Sequence, residues 1–308
     1  MEVARMRDRQ RLRLLAKHWQ LYAMLALPLL WLLVFKYLPM VNAVIAFKNF
    51  SVVKGIWGSD WVGLKNFQTV LSNPVFFQLL SNTVQLSLYY IIVSFPIPII
   101  IALCLNELRT KSLREFVQMV IYAPYFISTV VIVSMTLLTL SPRTGLISEI
   151  FGLFGMAAPD LLSRADYFRH IYVWSEIWTT AGYFTVLYVA ALTAIDPALY
   201  DAAKVDGATR LQRMIHVDLP GITPLALTLF LLGIGNVMNI GFEKAFLLQN
   251  PVNLAQSEIL PTYIYKTGLL NANYSVATVV NLLNAAINLA AILSVNHLIK
   301  RTTGRGLW

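Results

Sequence analysis

The segment Ile195-Asp196-Pro197-Ala198-Leu199-Tyr200-Asp201-Ala202-Ala203-Lys204-Val205-Asp206-Gly207-Ala208-Thr209-Arg210-Leu211-Gln212-Arg213-Met214-Ile215-His216-Val217-Asp218-Leu219-Pro220-Gly221 lies between two long apolar runs and is unlike a plain connector. Asp196 suits a helix N-cap and Pro197 the first helical position. Asp206-Gly207 is a stop signal, because glycine accepts the left-handed conformation that ends a helix. Thr209 and Gln212 make a T-x-x-Q capping box that starts a second helix. Pro220 ends that helix or bends it into the next apolar run. The pattern predicts two short helices at an angle, lying on a membrane face. Ala202 and Ala203 leave the first helix one side almost bare of side chains, so a partner's backbone can come close. A surface connector without a partner is the alternative.

Working outward, six stretches are long and apolar enough to span a bilayer: Leu21–Phe47, Asn82–Leu105, Phe116–Leu140, Ile171–Ala194, Ile222–Leu248 and Val276–Ile299. Each exceeds the roughly 20 residues that cross about 30 Å of hydrocarbon. Lipid offers the backbone no other partners, so all six are expected to be helical, with kinks at Pro28, Pro39, Pro96, Pro98 and Pro124. Composition agrees. Of 308 residues, 57% are hydrophobic and 13% charged, against roughly 25% charged in a soluble domain; mean hydropathy is +0.64. A surface this poor in charge argues against a water-soluble globule, and a disordered chain is excluded by the high hydrophobicity. The expected fold class is an all-α membrane protein of six transmembrane helices. The first apolar run is longer than a signal peptide's core and no small-residue cleavage site follows it, so it is expected to remain as the first span.

The net charge is +9, and its placement decides what it means. Arg5, Arg7, Arg9, Arg11, Arg13 and Lys17 precede the first span, which reads as a cytoplasmic flank and not as a nucleic-acid patch. Counted loop by loop, one side of the membrane holds 15 cations and the other eight. Both termini and the 196–221 loop fall on the richer, cytoplasmic side. Residues 1–20 are then a basic cytoplasmic segment, 21–299 the transmembrane domain and 300–308 a cytoplasmic tail. Cys104, the single cysteine, excludes disulfides within the chain and reads as a small buried hydrophobe. Trp57, Trp61, Tyr167, Tyr263, Tyr265 and Tyr274 cluster near the outer ends of spans as interfacial anchors.

At this point the sequence resembles a known family. Asp201-Ala202-Ala203, three residues, Gly207, nine residues and Val217-Asp218-Leu219-Pro220 is similar to the EAA loop of bacterial ABC-importer permeases, E-A-A-x3-G-x9-I-x-L-P. The spacing agrees without a gap; Asp201 stands for the usual Glu and Val217 for the usual Ile. Trp61-Val62-Gly63-Leu64-Lys65-Asn66-Phe67 resembles the W-x-G-x-x-N-F segment of sugar permeases, as do Asn82-Thr83 and Tyr122-Ala123-Pro124. Gly241-Phe242-Glu243 with Leu247-Leu248-Gln249-Asn250-Pro251 resembles the polysaccharide or lipoprotein permease subgroup, which handles oligosaccharides and includes permeases for acidic polysaccharides such as alginate.

The resemblance implies a type I ABC-importer permease fold with a cytoplasmic coupling helix, in the bacterial inner membrane. It implies a saccharide substrate, a second permease subunit completing a heterodimer, two ATPase subunits and an extracytoplasmic solute-binding protein. Under it, Tyr200, Asp201, Ala202, Ala203, Asp206, Gly207, Ala208, Arg210, Val217, Leu219 and Pro220 would couple to the ATPase. The chain has no G-x-x-x-x-G-K-[ST], so ATP and Mg are expected on the partner subunits. No catalytic, cofactor or metal site is expected in this chain.

Polar residues inside spans are costly and tend to face a bundle interior. Asn236, Asn239 and Glu243 fall three and four residues apart, on one face of a helical fifth span. Asn281, Asn284 and Asn288 share a face of the sixth. Trp174 and Trp178 lie one turn apart in the fourth, with Glu176 offset. Amides hydrogen-bond sugar hydroxyls, and aromatic rings cover the apolar faces of sugars. Asn236, Asn239, Glu243, Asn284 and Trp178 are therefore candidates for a substrate pathway; interhelical hydrogen bonds or lipid anchoring are the alternatives. Lys36 reads as a snorkelling cation. Lys244 reads as a cavity cation favouring an acidic sugar, or as a local partner of Glu243.

Two other classes compete. A membrane-embedded glycosyltransferase-like enzyme would need convergent carboxylates or a metal site near one interface, yet Glu176 and Glu243 are the only acids within the spans. A stand-alone secondary transporter would favour an internal repeat, and none is visible.

Overall fold

The computed structural model describes residues 17–303. The arginine-rich stretch 5–13 and Arg305 lie outside the described residues. The first span, α1 (Trp19–Phe47), is a single long helix that widens into a π-type turn at Leu33–Tyr37, just ahead of Pro39. Proline lacks an N–H and its ring crowds the carbonyl four residues back, so a helix that continues past it opens locally. Side chains from Trp19 to Asn42 are exposed, an apolar surface that hydrocarbon matches. Lys36 is exposed among them, its Nζ 5.9 Å from the centre of the Trp31 ring. The helix joins the packed body of the chain at Ile45 and Ala46, which are buried.

A small clasp closes the end of α1. Strands β1 (Lys48–Asn49) and β2 (Asp60–Trp61) pair antiparallel, Lys48 opposite Trp61. The Trp61 ring stacks on Phe47 at 5.7 Å. Asn66, in α2 (Lys65–Leu71), donates to the carbonyls of Ala46 and Lys48, both at 2.9 Å. The W-x-G-x-x-N-F stretch is thus a local fastening of helix to loop.

The second span, α3 (Pro74–Glu107), opens eight residues earlier than the apolar pattern predicts, because Asn73 accepts a hydrogen bond from the Val75 amide and Pro74 starts the helix. Cys104, expected to be buried, is exposed; α3 is apolar around much of its girth, so that face suits lipid. The third span is a bent pair instead of one kinked helix. The axes of α4 (Lys111–Phe126) and α5 (Thr129–Thr139) meet at 105°, since Pro124 tightens the end of α4 and Ser128 caps α5 anew. After α6 (Leu146–Leu153) comes α7 (Ala165–Thr193), the fourth span, which packs against α3, α4 and α5. Gly182 of α7 lets the α4 backbone touch it: an added Cβ would lie 2.3 Å from the Ile121 carbonyl oxygen.

Next, α8 (Pro197–Val205) turns 72° away from α7. Two expectations need correction beyond it. The second helix of the 196–221 loop is not a separate short piece; it is the first turns of α9 (Arg210–Ile234), the fifth span. Continuity is kept by a second π-type turn, Met214–Asp218, just ahead of Pro220, the same solution as at Pro39. The fifth span also does not run to Leu248. It stops at Ile234, and an irregular stretch leads to α10 (Phe242–Leu248). Gly235, Asn236 and Gly241 sit in that break and favour turns over helix. Short helices α11 (Leu254–Ser257) and α12 (Leu260–Tyr265) precede the sixth span, α13 (Tyr274–Thr303). Among the described residues, α1, α3, α9 and α13 are unbroken membrane-length helices, and the two bent pairs bring the total to as many as six.

Three apolar clusters form the core. One gathers Tyr172, Val173 and Ile177 of α7 with Leu86, Ala245 and Ile259. A second joins Ala46, Leu79, Leu260, Val279 and Val280. A third packs Ile99 and Ala102 against Tyr188, Leu192 and Ile222.

Candidate functional site

The α8–α9 hairpin is built by local signals. The Asp196 carboxylate accepts from the Ala198 amide at 2.9 Å, and Pro197 begins α8. The helix ends in a Schellman turn. The Ala208 amide donates to the Ala203 carbonyl at 2.9 Å and the Gly207 amide to that of Lys204 at 3.1 Å, with Gly207 left-handed at φ +71°. The Thr209–Gln212 capping box then starts α9. None of the α8 residues is buried. Tyr200 is half-buried, while Asp201, Ala202, Asp206, Gly207 and Arg210 are exposed; Ala203, Ala208 and Val217 are half-buried. Leu199, Val205, Leu211 and Leu219 are large apolar side chains that this chain leaves uncovered, Val205 being 87% exposed. An uncovered apolar surface of this kind suits contact with a partner.

The root of the hairpin is polar and buried. Asp218 is fully buried, and Tyr200 Oη donates to its Oδ1; Oδ2 has no hydrogen-bond partner among the described residues. Arg213 Nη2 donates to Glu107 at 3.2 and 3.4 Å, and Arg210 lies 3.8 Å from the same carboxylate. Glu107 ends α3, so the hairpin, α9 and α3 are joined at one point. Burial, and the Asp218 carboxylate that the Tyr200 phenol faces, push that phenol up to about 12. The pattern reading missed Glu107, Arg213 and Asp218 as a group, because their partners come from three elements.

A cavity of about 280 Å³ opens between α3, α7, α9 and the break after α9. Asn236 and Asn239 line it, together with Tyr90, Phe184, Phe230 and Glu176. Helical periodicity put Glu243 on the same face as the two amides. The break at 235–241 removes that face, and Glu243 is exposed and outside the cavity lining. Glu176 is the cavity acid instead. Lys244 is 2% exposed and pairs with Glu176 at 2.8 Å, not with Glu243. Asn284, offered as a pathway residue, is 3% exposed and donates to Asn239 Oδ1 at 3.2 Å. Asn288 Nδ2 donates to the Gly235 carbonyl and its Oδ1 accepts from the Met238 amide. These α13 amides therefore hold the broken end of α9, the interhelical alternative. Trp178 and Trp174 line a separate groove against α5, and Asn281 another near Tyr274.

The remaining motifs are fastenings. Asn82 donates to the carbonyls of Ala255 and Glu258 at 2.8 and 3.0 Å and accepts from Arg169 at 3.2 Å. Thr83 accepts from the Leu260 amide at 2.9 Å. Asn250 donates to the Leu162 carbonyl at 3.1 Å, and Gln249 to that of Ser257 at 2.9 Å. Together they pin the 249–260 loop to α3 and the segment before α7.

The family model described as the binding-protein-dependent transport system inner membrane component matches residues 94–304. The chain is 41% identical over 302 residues to the polygalacturonan/rhamnogalacturonan transport system permease protein YteP of Bacillus subtilis (strain 168), covering 97% of this chain and 94% of that protein. It is 38% identical over 288 residues to Protein LplB of the same organism, covering 94% and 91%. Among solved structures it is similar to a chain of a bacterial ABC transporter involved in the import of the acidic polysaccharide alginate. The TM-score is 0.88 at 35% identity, over 96% of this chain and 99% of that one. The same figures hold for the bacterial alginate ABC transporter in complex with an alginate pentasaccharide-bound periplasmic protein.

Proposed function

The chain belongs to the family of binding-protein-dependent transport system inner membrane components, and on that premise we propose that it forms half of the pathway by which an acidic oligosaccharide enters the cell. A second permease subunit supplies the other half. An extracytoplasmic binding protein delivers the sugar, and two separate ATPase subunits, carrying ATP and Mg, supply the work. Both termini and the α8–α9 hairpin face the cytoplasm.

The observation that carries this reading is the hairpin itself. It is ordered by its own caps, fixed at its root to α3 through Glu107, and bare of cover over Leu199, Val205 and Leu211. A rigid, uncovered apolar projection is what a motor subunit needs as a handle. When the ATPase pair closes on ATP, the handle moves with it. Because Glu107 and Asp218 join the hairpin to α3 and α9, and both helices line the cavity, a shift of the hairpin turns the cavity walls. This is rigid-body switching between two packings. The acidic sugar class is supported by the relatives named for polygalacturonan and alginate.

The test is reconstitution of the complete complex in proteoliposomes with its binding protein. ATP hydrolysis is expected to rise when the binding protein carries an oligogalacturonide or an alginate oligosaccharide, and the sugar to accumulate inside. A binding protein that takes only peptides or amino acids would overturn the saccharide assignment. An ATPase that associates with the complex through some region other than 196–221 would overturn the coupling assignment.

A further inference from the structure

Among the described residues, Glu176 is the only charged one lining the cavity between α3, α7 and α9. It projects from the middle of α7, where an uncompensated carboxylate would be costly. Its Oε2 accepts from Lys244 at 2.8 Å; the lysine side chain is 3% exposed and the carboxylate 26%. The two ends of the pair therefore differ. Lys244 sits behind the wall, its Nζ 5.5 Å from the centre of the Tyr172 ring, and it reaches the cavity only through the carboxylate. Glu176 faces inward, and its Oε1 has no hydrogen bond among the described residues. Close by are the Asn236 and Asn239 side chains and the aromatic faces of Tyr90, Phe184 and Phe230.

We propose that Glu176 and Lys244 form a charge-balanced subsite of the translocation cavity, in which the free carboxylate oxygen accepts hydroxyls of the passing sugar while Lys244 cancels the charge that would repel a uronate. The proposal rests on reading this cavity as the saccharide pathway, and adds which residues set its tolerance for charge. A carboxylate accepts from sugar hydroxyls through charge-assisted bonds, stronger than an amide's. Alone in a low-dielectric cavity the same carboxylate would exclude anionic sugars. With the ammonium bound at one oxygen, the pair presents little net charge and still keeps an acceptor. A structural brace between α7 and α10 is the competing role, and the two predict different things when the charges are exchanged.

The experiment uses the complete complex in proteoliposomes and two probes of one backbone, tetragalacturonide as the free acid and as its methyl ester. The readout is the ratio of KM for the two forms relative to wild type. The binding protein is common to all samples, so its own preference cancels. Glu176→Gln, which leaves Lys244 unbalanced, is expected to shift the ratio at least 5-fold toward the acid. Lys244→Met is expected to shift it at least 5-fold toward the ester. The exchange Glu176→Lys with Lys244→Glu keeps the brace but turns the ammonium inward, and is expected to favour the acid. A wild-type ratio in the exchanged protein, or equal loss of both probes in the single variants, would reduce the pair to a brace and overturn the proposal. If the exchanged protein does not assemble, the two single variants decide. Should wild type import neither galacturonide probe, the same pair is made from an alginate tetrasaccharide and its methyl ester; wild-type complex importing none of the four would overturn the uronide reading itself, and the subsite with it, a failure visible before any variant is made.

Discussion

Tyr200 of α8 donates its phenolic hydrogen to the buried carboxylate of Asp218 in α9, eighteen residues along the chain. That bond closes the hairpin at its root. Asp218 Oδ2 has no partner among the described residues, so Tyr200 is the side chain that hydrogen-bonds this carboxylate.

Tyr200→Phe is expected to destabilise the hairpin by about 1–3 kcal/mol, the usual cost of orphaning a buried acceptor. Lowered thermal stability of the purified complex, restored in part by adding Asp218→Asn, would be the sign. The pH dependence follows from the raised phenol. The neutral form is the one that holds Asp218, so its contribution is complete below pH 10 and is lost as pH climbs through about 12. Wild-type stability should therefore fall more steeply than that of Tyr200→Phe between those values; parallel curves would refute the assignment.

Within its own chain Gly207 is needed for its backbone and not for space. Its φ is +71°, and a Cβ there would meet nothing within 4 Å in this chain. Gly207→Asn, which tolerates left-handed φ, should keep sugar-stimulated ATP hydrolysis within a factor of two. Gly207→Ala should cost about 1–2 kcal/mol of local strain. Gly207→Trp should still insert in the membrane but lose stimulation at least tenfold, because the bulk stands on the docking face. Wild-type stimulation in the tryptophan variant would remove this glycine from the coupling surface.

Gly182 is the opposite case. Even one methyl group would collide with the Ile121 carbonyl. Gly182→Ala is expected to push α4 off α7 and to cost about 1–3 kcal/mol, the range for overpacking. Gly152→Ala, at a helical glycine with nothing within 4 Å, is the control and should match wild type in thermal unfolding.

Asn236 and Asn284 should separate function from architecture. Asn236→Ala is expected to raise the KM for transported sugar several-fold with little change in melting temperature. Asn284→Ala should lower the melting temperature, because Asn284 is buried and ties α13 to Asn239. Transposed outcomes would exchange the roles given to the two residues.

The parts of the molecule legible in its sequence are those governed by neighbours in the chain. Asp196, Pro197, Gly207, Thr209 and Gln212 act over two to five residues, and each does in the structure what its chemistry prescribes. The end of α9 was harder to read. Apolar residues continue past Ile234, so periodicity carried the helix on to Leu248, although Gly235, Asn236 and Gly241 are turn formers. The error moved Glu243 onto a face that does not exist and hid the partner of Lys244.

Length of apolar run, scarcity of internal charge and capping residues sufficed to establish a membrane helix bundle with an ordered surface hairpin, because partition into lipid and the closing of helix ends are local properties. The pairing of Lys244 with Glu176, 68 residues away, of Asn82 with the carbonyl of Ala255, 173 away, and the choice of Glu176 over Glu243 as the cavity acid were decided by tertiary structure alone. A buried polar group takes whatever partner the packing brings to it, and packing is settled by all the helices together.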